Sequence, residues 1–239
     1  MNIALSFSSG SESYTNYSKW LIEAHPDAHI VHLDEYALED IEPIVKTCSG
    51  IVFTGGEDIN PSFYGQSDRL KDCTVDDIRD AREMKMFEIC TSFHIPILAI
   101  CRGEQIINVF SGGTLIVDIP SDIQSDIEHR SVNGIDSVHE ILIQPGSLLR
   151  KIVKTDSIQV NSSHHQAVQH LPPMFTASAY SHDDIIEAIE WADPNGNSFL
   201  LSVQWHPERL DYSHPCSLSI AKHFLMEAES YSMLFLPLP

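Results

Sequence analysis

Residues 97–105 read Ile-Leu-Ala-Ile-Cys-Arg-Gly-Glu-Gln, and this stretch decides the fold class. The apolar residues up to position 100 predict a buried strand over 95–100, and a helix is predicted from about 104 to 110. Cys101 lies at the turn between them, where small neighbours allow a tight strand-to-helix reversal that holds a nucleophile clear of the sheet. The positive end of the helix favours the thiolate, so Cys101 is the candidate nucleophile.

Short apolar runs alternate with helix-length amphipathic segments on both sides of this turn. The first half predicts strands at 3–7, 30–33 and 50–53, with helices at 14–24, 38–46 and 76–93. The second half predicts an irregular acidic excursion at 118–137, strands at 139–143, 158–160, 175–180, 185–191 and 199–205, and a helix at 217–230. The pattern indicates an α/β fold with a doubly wound, mainly parallel sheet flanked by helices and additional mixed or antiparallel strands. A single domain over residues 1–239 is the simplest organisation.

Composition excludes several classes of function. The 239 residues include 34 acidic and 14 basic side chains, for a formal charge of −20. Such a field repels phosphate backbones and anionic lipid headgroups, so neither a nucleic acid nor a membrane is expected as a partner. The N-terminus has no basic, apolar signal sequence, and we expect a cytoplasmic protein.

The cysteines point to the same reducing compartment. They are five in number, widely spaced and without a CxxC pair, which argues against a disulfide framework. A free cysteine is most often buried and unreactive, and that interpretation applies to the four outside the turn, which are Cys48, Cys73, Cys90 and Cys216.

A second motif, Val-Gln-Trp-His-Pro-Glu at 203–208, follows an apolar strand. Residues two apart on an extended chain project to the same face, so His206 and Glu208 can lie side by side. Glu208 would then orient the imidazole that accepts the Cys101 proton and stabilise the imidazolium afterwards. On its own such a motif is usually just a strand end. The order nucleophile, histidine, acid differs from that of the α/β-hydrolases.

A third motif, Thr-Gly-Gly-Glu at 54–57, follows the third predicted strand. Paired glycines allow the backbone to approach a ligand, although alone they indicate only a turn. Next to a nucleophile turn, the amides around Gly56 and Glu57 together with the amide of Arg102 become a candidate oxyanion hole, with Gly55 beside them.

These segments, with Val-Asn-Ser-Ser-His-His-Gln-Ala-Val at 160–168 and Gly-Gly-Glu-Asp-Ile-Asn-Pro at 55–61, together resemble the class I glutamine amidotransferase family. Within it they are most similar to the gamma-glutamyl hydrolase branch, which includes gamma-glutamyl-gamma-aminobutyrate hydrolases. The resemblance covers about residues 1–226. It implies a class I glutamine amidotransferase-like, flavodoxin-like architecture.

The resemblance also implies roles for individual residues. Cys101 would be the nucleophile, His206 the general base and acid, and Glu208 its partner, with an acyl-thioester that water hydrolyses to glutamate. The glutamyl head group would be held by Gln105 and the backbone around three further residues, which are His164, His165 and Gln166. No cofactor is needed for this chemistry. No metal site is expected either, because the sequence shows no cluster of ligands at suitable spacing.

Glu104 departs from the family pattern, in which an apolar residue or histidine is usual. A solvated glutamate at the start of a helix is one interpretation. The other is that Glu104 attracts a cationic amine leaving group, so that gamma-glutamyl polyamines would be preferred and the enzyme would serve polyamine catabolism.

The sequence leaves three functions open. The leading one is a stand-alone hydrolase of a small gamma-glutamyl amine. The second is the glutaminase subunit of a two-component amidotransferase, which would need a separate synthase as its partner. The third is a non-catalytic binding protein on the same fold. The apolar C-terminus, residues 233–239, is expected to pack on its own surface, whereas an exposed tail would suggest a homodimer contact.

Overall fold

A computed structural model describes residues 1–236. The helices are α1 (Glu12–Ala24), α2 (Ile41–Val45), α3 (Asp77–Ser92), α4 (Arg102–Phe110), α5 (Ile119–Asp122), α6 (Leu148–Val153) and α7 (Leu218–Phe235). The strands are β1 (Asn2–Leu5), β2 (His29–His32), β3 (Gly50–Phe53), β4 (Ile97–Ile100), β5 (Thr114–Ile116), β6 (Ser137–Ile143), β7 (Ser157–Ser162), β8 (Ala167–His170), β9 (Phe175–Ser181), β10 (Ile186–Trp191) and β11 (Leu200–Val203).

All of these strands join one sheet, whose main order is β2-β1-β3-β4-β11-β10-β9-β6-β7. The first five strands in this order are parallel, and the remaining four run antiparallel to their neighbours. β8 pairs with both β10 and β5 and adds a short antiparallel flap. The predicted fold class is therefore confirmed, with the change of strand direction at the β11–β10 boundary.

Two helical layers cover the parallel half of the sheet. Alternate residues of the central strands point to opposite faces, as the pleat requires. Phe53 and Ala99 pack toward the face that carries α2, α3 and α4, while Val52 and Leu98 pack toward the face that carries α1 and α7. Because both faces are covered, every residue of β3, β4 and β11 is buried, which explains why their sequences are apolar except for Ser202 on β11.

The structure departs from the sequence prediction in several short elements. The predicted helix at 38–46 is a 3₁₀ turn followed by α2, and β5, β8, α5 and α6 were not predicted. Each of these is too short for hydrophobic periodicity to identify. None of the helices in residues 1–236 is both long and apolar enough to cross a membrane.

The C-terminal segment also differs from expectation. α7 continues to Phe235, and the side chains of residues 233–235 are 65–76% exposed. The predicted packing of this tail on its own surface is therefore wrong for those three residues, and residues 237–239 lie outside the described part of the chain.

Candidate active site

The nucleophile turn forms where β4 runs into α4. The Cys101 amide donates to the carbonyl of Val203 at 2.8 Å, which extends the β4–β11 pairing by one residue. Cys101 itself has φ +55°, a backbone conformation that residues other than glycine rarely adopt. Gly103 packs directly against the Phe53 carbonyl, and any side chain there would collide with it. Strand pairing and this close approach together hold the strained turn in place.

The histidine and its carboxylate lie at the end of the neighbouring strand β11. His206 Nδ1 and Glu208 Oε1 are 2.8 Å apart, and both side chains are almost fully buried. Asn161 fixes the backbone of the histidine, because its side chain accepts from the His206 amide at 3.2 Å and donates to the His206 carbonyl at 3.0 Å. Burial lowers the pKa of His206, but the neighbouring Glu208 and Cys101 outweigh it and raise the pKa to about 9.

Cys101 and His206 converge on a cavity of 390 Å³. Gly55 packs closely against both residues. A methyl group at this position would lie 2.9 Å from His206 Cε1 and 3.7 Å from Cys101 Cβ. The other lining residues are mainly polar, and they are Ser9, Ser11, Ser13, Tyr14, Tyr17, Gly56, Glu57, Ser163 and Arg209. A larger cleft of 670 Å³ elsewhere contains none of the predicted site residues.

The glycine loop supplies free backbone donors at this cavity. Within residues 1–236, the amides of Gly56, Glu57 and Arg102 donate no hydrogen bond to another protein group. Gly55 is held from both sides, because its amide donates to the Tyr17 hydroxyl at 2.9 Å and its carbonyl accepts from Tyr14 at 3.0 Å. Backbone donors fixed in this way can stabilise an oxyanion without rearrangement.

A buried ion-pair network lies beneath the loop and the nucleophile turn. Arg79 donates to the carbonyls of Thr54 and Gly55 at 3.0 and 2.8 Å and to Glu83 at 3.1 Å. The guanidinium of Arg102 contacts both Asp80 and Glu83, so that side chain points away from the cavity. Burial would raise the pKa of Glu83, but Arg102 and Arg79 hold it below its usual range.

This network was not predicted from the sequence, which indicated only an acidic first turn in α3. The spacing of Arg79, Asp80 and Glu83 on one helix is the available signal, since residues three and four apart share a helix face. The cavity residues Tyr14, Tyr17, Ser163 and Arg209 were also missed, and we found no local pattern that marks them.

The residues predicted to hold the glutamyl group lie mostly outside the cavity. Gln105 is buried behind it, where its amide donates to the Gln166 carbonyl and to Gln204, both at 3.0 Å. His165 is held between Asp58 and Asp118 at 2.8 and 3.0 Å. The His164 ring points into the sheet and donates to the Gln166 carbonyl at 2.9 Å.

Two backbone groups of that segment form hydrogen bonds within the protein. The His164 amide donates to the His129 carbonyl at 2.9 Å, and the His165 carbonyl accepts from Ile119 at 2.7 Å. Ser163 is the member of the segment that lines the cavity. The predicted role of the backbone around His164, His165 and Gln166 in binding stays a prediction.

Both interpretations of Glu104 are wrong in their placement of the side chain. It is fully buried, 0% exposed, and accepts from Ser202 Oγ at 3.1 Å on the side of α4 that faces the sheet. Burial and the nearby Glu187 hold the pKa of Glu104 well above its usual range. A residue in this position neither contacts solvent nor lines the cavity, so it cannot meet the leaving amine.

Most of the chain matches one known protein family. The peptidase C26 family model matches residues 6–208. The chain belongs to the peptidase C26 family. It is thus an enzyme of the cysteine-dependent hydrolase and amidase type, and the resemblance stated from the sequence is confirmed.

The relatives of this C26 chain include proteins named as glutamine amidotransferases and a protein named as a gamma-glutamyl hydrolase. A Schizosaccharomyces pombe protein, named provisionally as a glutamine amidotransferase, is 32% identical over 216 residues, which is 90% of this chain and 83% of its own. A glutamine amidotransferase-like protein of Lactococcus lactis is 36% identical over 71% of this chain and 70% of its own. The gamma-glutamyl-gamma-aminobutyrate hydrolase of Escherichia coli is 28% identical over 70% of this chain and 67% of its own.

Solved structures confirm the architecture. A Thermoplasma acidophilum protein described as a GMP synthase subunit matches with a TM-score of 0.67 and 18% identity, covering 98% of this chain and 96% of that one. The glutaminase domain of Trypanosoma brucei CTP synthase matches with a TM-score of 0.65 and 14% identity, covering 96% and 94%. At these identities the likeness concerns the fold alone.

Proposed function

We propose that this C26 enzyme hydrolyses the gamma-glutamyl amide bond of a small gamma-glutamyl amine and releases glutamate. The observation that carries the proposal is the convergence of Cys101, the His206–Glu208 pair and unpaired backbone amides on one polar cavity of 390 Å³. The name of the Escherichia coli relative supports the gamma-glutamyl-gamma-aminobutyrate class of substrate.

The proposed reaction has two steps. The Cys101 thiolate attacks the gamma-carbonyl carbon, and the amides of Gly56, Glu57 and Arg102 stabilise the oxyanion. His206 then donates its proton to the amine nitrogen, the C–N bond breaks, and a thioester remains on Cys101. In the second step His206 accepts a proton from water, the hydroxide attacks the thioester, and the C–S bond breaks to give glutamate and the thiolate.

The cavity offers opposite charges for the amino-acid end of the substrate. Glu57 has a side chain that is 50% exposed, and its carboxylate suits an alpha-ammonium group. Arg209 is 29% exposed and contacts Asp136 at 3.2 Å, and its guanidinium suits an alpha-carboxylate. Both charged side chains line the same cavity as Cys101, so we propose that they orient the glutamyl zwitterion and leave the amine at the open side of the cavity.

The test is glutamate release by the purified protein alone. Gamma-glutamyl-aminobutyrate, gamma-glutamylputrescine and glutamine are compared in parallel, with Cys101→Ala as the blank. We expect Cys101-dependent turnover of a gamma-glutamyl amine well above that of glutamine. Equal, slow rates for wild type and Cys101→Ala on all three substrates would contradict the proposal.

A glutaminase subunit is the second candidate, and the names of the Schizosaccharomyces pombe and Lactococcus lactis relatives favour it. Such a subunit passes ammonia to a synthase and is nearly idle on glutamine alone. Glutamine turnover that rises when a co-purified synthase is added would support this second function. The amine substrates would stay inert in that case.

A further inference from the structure

Four buried side chains converge beside the active site although they come from separate segments. They are His129 in the 118–137 excursion, His139 on β6, His164 after β7 and Glu187 on β10. Their exposures are 2%, 7%, 4% and 0%, and one potential ligand atom of each lies within 4.8 Å of all the others. The sequence shows no cluster of ligands at suitable spacing because these residues lie in four different parts of the chain, and only the fold brings them together.

The contacts of Glu187 within the cluster are longer than charge-assisted hydrogen bonds. Glu187 Oε1 lies 3.3 Å from His139 Nε2, 3.5 Å from His129 Nδ1 and 3.7 Å from His164 Nε2. A charge-assisted hydrogen bond would bring such atoms to about 2.7–2.9 Å. Ligands at about 2.0–2.1 Å from a tetrahedral zinc ion stand roughly 3.3 Å from one another, which is close to the three distances from Glu187 Oε1 to the histidine nitrogens.

The outward-facing ring nitrogens of the three histidines lie near hydrogen-bond acceptors. His129 Nε2 contacts Asp183 Oδ2 at 3.0 Å, and His164 Nδ1 contacts the Gln166 carbonyl at 2.9 Å. His139 Nδ1 faces the Glu140 carbonyl at 3.4 Å. Carboxylate and carbonyl oxygens only accept, so the contacts of His129 and His164 favour the tautomers in which the outward nitrogen carries the proton and the inward nitrogen presents a lone pair. Histidine ligands of metals are oriented by the same kind of outer contact.

The inward atoms lack any other partner. Within residues 1–236, His129 Nδ1, His139 Nε2, His164 Nε2 and both carboxylate oxygens of Glu187 form no hydrogen bond. Three inward-facing ring nitrogens and the carboxyl group of Glu187 therefore face one buried point, an arrangement that a cation stabilises.

We propose that His129, His139, His164 and Glu187 bind a divalent transition-metal ion of the zinc class. Imidazole and carboxylate are ligands that zinc accepts, and four protein ligands close a tetrahedral site, which is typical of structural rather than catalytic zinc. Through its bond to His129, the ion links the 118–137 excursion to the sheet strands that carry His139 and Glu187. It also fixes the turn at His164, whose neighbour Ser163 lines the catalytic cavity.

The first test measures metal, not activity. The protein is expressed with zinc in the medium, purified, dialysed against metal-free buffer and analysed by mass spectrometry for elements. We expect about one zinc per chain in wild type and equally in Cys101→Ala, so the result does not depend on the proposed hydrolase function. His139→Gln and Glu187→Gln should lose the metal, whereas His29→Gln, a matched change at an exposed position on β2, should keep it.

A second measurement uses the unmutated protein, so its result does not depend on whether the variants fold. Chelator-treated wild type should melt at a lower temperature, and added zinc should restore the original midpoint. Cobalt in place of zinc should give the visible absorption of a tetrahedral site. Wild type that carries only trace metal, melts at the same temperature with chelator or zinc, and gives no cobalt spectrum would overturn the proposal.

Discussion

At the scale of single residues, the His206–Glu208 pair sets the pH range of the proposed reaction. The leaving amine takes its proton from the imidazolium, which is lost as the pH rises through the His206 pKa of about 9. Because Glu208 is one cause of the raised pKa, removing its charge moves that loss to lower pH.

Glu208→Gln should therefore lower kcat by roughly 10²–10⁴-fold and shift the alkaline limb of kcat/KM toward neutral pH. The measurement is a pH profile of the two proteins on the best gamma-glutamyl amine. Glu229→Gln, an exposed change on α7, is the matched control and should leave the profile unchanged. An unshifted alkaline limb in Glu208→Gln would contradict the assigned pairing.

The backbone of Cys101 makes a separate prediction about stability. Its φ of +55° is costly for any residue with a Cβ atom and free of that cost for glycine. Cys101→Gly should therefore be more stable than Cys101→Ala by about 1 kcal/mol. Cys90, which lies inside α3, provides the control, because there the glycine variant should be the less stable one by about 1 kcal/mol.

Urea unfolding of these four variants gives the comparison. The decisive result is whether the glycine variant is more or less stable than the alanine variant at each position, since the same two replacements are compared at both. Equal stabilities of the two Cys101 variants would show that the turn carries no strain.

At the scale of elements, α3 positions the active site through its buried charges. Arg79 joins Glu83 to the carbonyls of the glycine loop, so its loss leaves a buried carboxylate with fewer partners and frees the loop. Arg79→Met should destabilise the protein by roughly 3–5 kcal/mol, as breaking a buried ion pair does. It should also reduce kcat, because the oxyanion donors are no longer held.

Arg82→Met is the matched control on the same helix. Arg82 donates to the carbonyls of Leu33 and Tyr36 at 2.6 and 2.8 Å and contacts no active-site residue. We expect this variant to lose about 1 kcal/mol and to retain its activity. Chemical denaturation and steady-state kinetics on both variants test the difference, and similar losses in both would argue against a special role for Arg79.

The elements also show what sequence patterns can and cannot predict. The bounds of β3 agree with the prediction because that strand is an uninterrupted apolar run, and the Cys101 turn was found because its signal is local. The Arg79 network and the four-residue cluster around Glu187 were missed because tertiary contacts assemble them. The family resemblance implied a binding role for Gln105, and Glu104 was expected either in solvent or near the leaving amine, whereas the helix faces of both residues turn them away from the cavity.

At the scale of the whole molecule, the formal charge of −20 acts on stability. Like charges repel most in the compact state, so screening them favours folding. Sodium chloride raised from very low concentration to roughly 0.1 M, where the Debye length is about 10 Å, should raise the melting temperature by a few degrees.

The rise should level off as screening becomes complete, which distinguishes it from the continuing increase caused by excluded salts. Differential scanning calorimetry over a salt series provides the measurement. A melting temperature that is constant or falls over the low-salt range would contradict the expectation.

The pairing of β4 with β11 makes the chain suitable for a fragment complementation experiment. Cys101 and His206 follow two adjacent strands, and the hydrogen bond from Cys101 to Val203 joins segments that are distant in sequence. A chain divided at the exposed turn near Asn195 would leave the nucleophile on one fragment and the imidazole on the other. Neither fragment alone would hold a complete centre, so turnover by the mixture would report fragment complementation and make this sheet the basis of a split-enzyme sensor.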